Sequence, residues 1–333
     1  MRFGPVPFDA AEGAVLAHSH RVAGGRLRKG TVLRRADVAA LRATGATEVV
    51  VARLGPSDMG EDAAAAALAA ALRGDGLSVR AAFTGRANLH ADGPGVLQID
   101  RAAIDAVNAV DPMLTVATLP EWQRIEAGTM AATVKVIAYG VPSEAVERAC
   151  AAARGALVRR APVIDRADLI VTTLGGAATG AEAVIARLDR LGVACAVRDV
   201  PHDEAALAAA LVDATAPLRL ILTASATSDP DDVGPAATRR AGGTVERVGM
   251  PVDPGNLLFL GTLGDATVIG LPGCARSPKL NGADWVVERV VCGVPVTAAD
   301  IAGMGVGGLL GEIPTRPQPR ERRGARPEGP RDK

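Results

Sequence analysis

Aromatic residues are nearly missing from this chain: two Trp, one Tyr and four Phe in 333 residues. The interior must therefore be built from Ala, Val, Leu and Ile, and such an aliphatic mix suits a parallel sheet buried under Ala-rich helices. Lysine is scarce too. Lys29, Lys135, Lys279 and Lys333 are the only four, so nearly all positive charge is arginine, which reads as codon bias and not as function. No net charge is left over, with 37 basic against 37 acidic residues, and this argues against a broad electrostatic nucleic-acid surface. The four cysteines, Cys150, Cys195, Cys274 and Cys292, form no CxxC and no Cys/His pairing at zinc spacing, so a reduced, cytoplasmic setting is expected. Long apolar runs are absent. "AAAAALAAAL" over residues 63–72 is too short and too rich in alanine to span a bilayer, and the opening "MRFGPVPFDAAEG" lacks an apolar signal core. Neither a membrane nor a nucleic-acid partner is expected.

What is present falls into three stretches. Residues 1–160 read as an α+β, β-rich region. "GAVLAHS" and "GTVL" look like strands, "RADVAALRATG" is a helix closed by Gly45, and "TEVVVARL" is a strand. The stretch "SDMGEDAAAAALAAALRGDG" predicts a helix capped by Asp58, with Glu61 three residues on and Gly74 past its end. Further β-like pieces, "VLQI", "MLTVATL" and "AATVKVIAYGV", surround a helix expected from Arg101 to Val107, and "PSEAVERACAAARG" is a helix. Arg86, Asn88 and His90 of "GRANLHA" share one face if that segment is a strand. Residues 314–333 are Pro- and Arg-rich and read as a disordered tail; the seven basic and three acidic residues from 315 onward leave the rest of the chain about four charges acidic.

Between them, residues 161–313 change rhythm. Strands "ADLIVTTL", "VACAVRDV", "LRLILTA", "TVERVGM" and "GDATVIGL" alternate with helices "AEAVIARLDRLG", "DEAALAAALVDA", "VGPAATRRAGG" and "LNGADWVVERVVCG". Such alternation means a three-layer α/β/α domain with a mainly parallel sheet, and in such sheets ligands bind at the carboxyl ends of the strands. Three loops meet that rule. The first, within "LILTASATSDPDDVGPAA" (220–237), carries Asp229, Asp231 and Asp232; the second is "GMPVDPGNLLFLG" (249–261) and the third "GLPGCARSPKLNG" (270–282). The latter two hold Pro-Gly pairs, Pro254-Gly255 and Pro272-Gly273, where Pro sets a turn and Gly lets the backbone come close to a ligand. Arg276, Ser277 and Lys279 precede a helix, which suits a phosphate as well as it suits a plain capped turn.

The acids admit two readings. Asp231 or Asp232 can cap the helix that follows, as Asp203 beside His202 can cap its own. Three carboxylates within four residues exceed what a cap requires, however, and like charges this close call for a cation such as Mg²⁺ shared with substrate phosphates. "TLGGAATG" (173–180) is glycine-rich but is not GxGxxG, so a dinucleotide fingerprint fails.

The order of the three loops resembles the molybdopterin-binding domain of the molybdenum-cofactor assembly proteins, with its TGGxSxGxxD, PGKP-like and PGNP-like loops. The matching stretches are "TASATSDPDD" (223–232), "DPGNL" (253–257) and "LPGCA" (271–275), with Asp232 on the loop aspartate and Thr227 on the serine. Upstream, "AEGAVLAH" and "LRKGTVLRRADVAAL" are similar to the opening of the molybdotransferase branch, so the likeness runs over about 1–313. The resemblance implies binding of molybdopterin or its adenylated form, with molybdate as a substrate inserted under Mg²⁺ assistance and AMP released, in a homodimer. It implies cofactor contacts from Thr223, Ser225, Thr227, Pro254, Gly255, Asn256, Pro272, Gly273, Cys274, Arg276, Ser277 and Lys279. Asp229, Asp231 and Asp232 would be metal ligands, with Asp232 and Asp229 catalytic. The chain departs from the pattern at four places. Ala224-Ser225 replaces the glycine pair, the first strand's loop has no acid before Glu182, Asn256 stands where lysine is common, and Ala275 replaces a proline. A non-catalytic carrier serving a nucleotidyltransferase or a molybdenum hydroxylase is therefore the alternative. A nucleotide-sugar or pyridine-nucleotide hydrolase fits the acids but not the β-rich N-terminal half.

Overall fold

The computed structural model describes residues 1–176 and 179–311. The expectations for the tail at 314–333 and for the middle of the 173–180 loop lie outside the described residues. The fold is mixed α/β with several separate sheets, and it divides into two units. One comprises Met1–Asp165, Leu188–Val193 and Glu288–Pro295, the other Arg166–Arg187, Ala194–Val287 and Val296–Lys333.

In the first unit, strands Arg2–Pro7, Glu48–Arg53 and Val15–Leu16 form an antiparallel sheet. Phe8, Leu16, Val49 and Val51 pack there with Val38 and Leu41 of helix Arg35–Arg42. A larger core joins helix Glu61–Leu72 to a four-stranded and a three-stranded antiparallel sheet. That helix buries Ala64, Ala65, Leu68, Ala69 and Leu72, a helical repeat whose alanines let its axis approach the sheet closely. "GRANLHA" does form a strand, Arg86–Ala91. Arg86 donates to Thr133 Oγ1 at 2.9 Å and Thr133 donates to Asn88 at 2.8 Å, while His90 is buried.

Three local expectations are corrected. Asp58 does not cap the helix; it lies in a short strand, Asp58–Gly60, and accepts from Gly55 N–H and from the terminal ammonium, leaving Gly60 as the cap. "GTVL" is not a strand and contributes one bridge, Val15 to Val32. The helix from Arg101 runs on to Val110.

The second unit holds a six-stranded sheet. Its strands are β1 (Arg166–Thr173), β2 (Ala194–Pro201), β3 (Leu218–Leu222), β4 (Thr244–Val248), β5 (Phe259–Leu263) and β6 (Ala266–Leu271). Helices α1 (Ala181–Asp189), α2 (Glu204–Asp213), α3 (Val233–Arg240) and α4 (Gly282–Val291) connect or follow them. The spatial order is β2-β1-β3-β6-β5-β4. Pairing is parallel from β2 through β1 and β3 to β6, then antiparallel from β6 to β5 and from β5 to β4. Consecutive residues Leu169, Ile170 and Val171 of β1, and Leu220, Ile221 and Leu222 of β3, are all buried, which explains their unbroken apolar runs. One face packs Ile170, Ile221 and Val268 against Leu207 and Leu211 of α2 and Ala237 of α3. Strand β5 was hidden in the sequence, its first three residues falling at the end of the second of the three loops. Its Phe259 ring lies over Gly270 of β6, where a Cβ would fall 1.9 Å from the ring.

Candidate functional site

Strand direction decides which loops can meet. β1, β2, β3 and β6 run parallel, and two successive reversals make β4 run the same way as β6. The segments after all five strands therefore leave from one edge of the sheet: 174–180, 202–203, 223–232, 249–258 and 272–281. The chain passes from β1 to β2 on one side and then crosses to β3 on the other. Between β1 and β3 lies the switch point where such sheets open a crevice.

Arg276, just after β6, ties this edge together. Its guanidinium donates to Thr223 O at 2.9 Å and to Thr179 O, so one side chain joins three loops. Gly180 is glycine because a Cβ there would meet Arg276 Cβ at 2.6 Å, and its φ is +84°. Burial pulls the Arg276 guanidinium below its ordinary pKa. Among the described residues two of its N–H donors are spent on carbonyls, which leaves three of five for another acceptor.

Three side chains line the switch point. Thr172, at the end of β1, is buried; its Oγ1 accepts from Ala224 N–H at 2.8 Å and lies 2.8 Å from His202 Nδ1. The opposite ring nitrogen, Nε2, lies 2.9 Å from Ser225 Oγ. His202 is itself fixed by its N–H bond to Thr173 O. Ser225 is exposed, and Thr223 Oγ1 donates to its carbonyl at 2.7 Å, turning the loop. Among the described residues, the N–H groups of Ser225, Ala226 and Thr227 find no acceptor. Sequence reading passed over Thr172 and His202. The signal that could have found them is position, since both stand at the carboxyl end of a strand.

The acids serve their own loop. Asp232 caps α3, its two oxygens accepting from Val233 N–H at 2.8 Å and Ser228 N–H at 3.1 Å. Asp229 accepts from Asp231 N–H at 2.8 Å. Asp231 is exposed and pairs with Arg239 at 3.3 Å. Thr227 is buried behind them. Among the described residues, no group of three or more His, Cys, Asp or Glu is arranged to hold a metal ion.

The third loop is shaped from inside by Arg187 of α1. Its side chain donates to Asp284, Ala183 O and Ala275 O, and to Ser277 O and Lys279 O at 2.6 and 2.9 Å. Asp284 in turn accepts from Asn281 N–H at 2.8 Å. The carbonyls of Ala275, Ser277 and Lys279 thus point inward, Ser277 Oγ accepts from Lys279 N–H at 3.3 Å, and Lys279 is exposed. Nothing would obstruct a Cβ at Gly273, so the backbone beside Pro272 is open to approach. Burial raises the Cys274 thiol above its ordinary pKa, which keeps it protonated.

A Cβ at Gly255 would lie 2.6 Å from Gly282 N, so glycine lets its backbone lie close to the start of α4. Pro254 O accepts from Gly282 N–H at 2.8 Å, which fastens the second loop to the third, while Asn256 is exposed.

Residues 5–53 match the model of a domain of unknown function, DUF8806. No curated protein matches the chain. Among solved structures, the chain is similar to the crystal structure of the molybdopterin biosynthesis moea protein from Pyrococcus horikosii. The identity is 12%, over 91% of this chain and 76% of that one, with a TM-score of 0.29.

Proposed function

We propose that this chain binds molybdopterin, or its adenylated form, at the carboxyl edge of the six-stranded sheet and works in molybdenum cofactor biosynthesis. The observation that supports this is the meeting of the loops that carry the sequence resemblance. Arg276 joins the 223–232 loop to the loop after β1, and the Pro254–Gly282 bond joins the 249–258 loop to the third. On this reading α1 and α4 cover the sheet face opposite α2 and α3, making three layers. The terminal phosphate takes the spare N–H groups of Arg276 and the backbone N–H groups of 225–227, an anion-binding concavity at a sheet edge.

The carboxylates do not fit a preformed magnesium site, because each is already engaged within its loop or with Arg239. Binding and delivery of the cofactor is the better-supported activity, with a nucleotidyltransferase or a molybdenum hydroxylase as receiver; molybdate insertion with AMP release is the second reading, carried by the match of Asp232 to the loop aspartate.

Calorimetric titration with molybdopterin and its adenylated form, using wild type and Arg276→Ala, tests binding. Wild-type binding that Arg276→Ala weakens supports the site. Molybdate and Mg²⁺ are then added and AMP measured, with Asp232→Ala as the comparison. Tight binding without AMP release sinks the transferase reading, and no binding of either ligand sinks both.

A further inference from the structure

Donor and acceptor counting fixes the protons along Thr172, His202 and Ser225. Thr172 is 2% exposed, and its hydroxyl already accepts the Ala224 N–H. It has one hydrogen to give, and the acceptor within reach among the described residues is His202 Nδ1 at 2.8 Å. If Thr172 donates to Nδ1, the neutral ring carries its proton on Nε2 and donates to Ser225 Oγ at 2.9 Å. The Ser225 hydrogen is then turned away from the ring, free for an acceptor on the exposed side of this residue. The reverse arrangement, with Ser225 donating to Nε2 and Nδ1–H donating to Thr172, strands the Thr172 hydrogen in the interior. It also places no carboxylate behind the ring to support an imidazolium, as a serine nucleophile's base requires.

We propose that His202 is a positioning residue, locked by Thr172 as the Nε2–H tautomer, that makes Ser225 a hydrogen-bond donor to a bound tetrahedral oxyanion such as a phosphomonoester. Ser225 and His202 are then not a nucleophile and its base, although their separation alone would suit one. The inference deepens the reading of this crevice as a phosphate site, and it names what sets its preference. A ligand group here must accept, from Ser225 Oγ–H and from the N–H groups of 225–227, and a ligand group that can only donate finds no partner in the set.

Three measurements on the intact chain separate this from the reading it rests on. Long-range ¹H–¹⁵N spectra of ¹⁵N-histidine-labelled protein report the tautomer directly. Wild type should show Nε2 protonated and Nδ1 as a bare acceptor, and Thr172→Val, which removes the donor at nearly equal volume, should lose that fixed pattern. Titration with inorganic phosphate and with phenyl phosphate reports the oxyanion. His202→Phe should weaken binding about tenfold, whereas His202→Gln, whose amide can still donate to Ser225, should stay within about twofold of wild type. A serine-directed fluorophosphonate probe should leave Ser225 unlabelled. An Nδ1–H tautomer, His202-dependent labelling of Ser225, or His202→Gln as weak as His202→Phe each overturns the proposal. Wild type that binds neither phosphate while showing the expected tautomer overturns the oxyanion role together with the crevice reading, and leaves the proton arrangement standing.

Discussion

Asp232 accepts from two backbone N–H groups, one on each oxygen, so replacing it can separate the cap from the bond that closes the loop. Asp232→Ala removes both and should cost about 1–2 kcal/mol in urea unfolding, whereas Asp232→Asn, whose single amide oxygen can keep the α3 cap but not the Ser228 bond as well, should cost less than half of that. Equal losses would mean that the cap bond contributes little. His90 carries a pH dependence of definite sign. Burial, and then the Arg80 cation, hold its imidazole below the ordinary pKa. An unfolded histidine titrates near about 6.5, so below that value the unfolded chain binds the proton that the folded one refuses. Stability is complete above about pH 6.5 and is lost as pH falls toward the lower folded value. The melting temperature of wild type should drop more steeply between pH 7 and pH 5 than that of His90→Gln, and parallel curves would remove His90 as the cause.

At the scale of elements, Arg187 is the clearest case of one side chain shaping a loop. It spreads its donors over Asp284 and four carbonyls from two segments, a fork that a lysine ammonium cannot reproduce. Arg187→Met leaves Asp284 buried without its cation and should lower stability by about 3–5 kcal/mol. Hydrogen exchange should speed most over 275–281. Arg187→Lys should recover little of either, and full recovery would reduce the role to charge alone. Much at this scale was legible in the sequence. Helices Arg35–Arg42 and Ser143–Ala153, the Asp203 and Asp232 caps and the alternation after Arg166 announce themselves by spacing and by capping residues. The misses share a cause. Strand β5 begins inside the apolar run Leu257–Leu260 with nothing to mark where the loop ends, strand Arg2–Pro7 hides behind two prolines, and Asp58 found a partner in the terminal ammonium that no local pattern shows. His202 bonds to residues 30 and 23 positions away, so its place in the site exists only once the strands are ordered. The loops of the candidate site could be read from the sequence, but not which of their atoms face one another.

Over the whole molecule, none of the four cysteines forms a disulfide, so no covalent link helps hold either unit and aliphatic packing must do that work. Cys292 is buried and its thiol is pushed up to about 11, which leaves it unreactive at neutral pH. The arrangement of the six strands carries one more consequence, for the order of assembly. β5 and β6 join by a tight antiparallel turn, Leu263 to Ala266, and β4 reaches β5 through the 249–258 loop, whereas β1 meets β3 through Ala167 and Leu218 and β3 meets β6 through Leu218 and Thr267, about fifty residues apart in each case. Closing those long loops costs entropy before any contact repays it. The switch point between β1 and β3 should therefore be completed late, after the β5–β6 hairpin beside it. In refolding from urea, far-ultraviolet signal should return before binding of the phosphate proposed for that edge, and the two should be separable in time. The recovery of binding would then serve as a clock for the last parallel pairings to form.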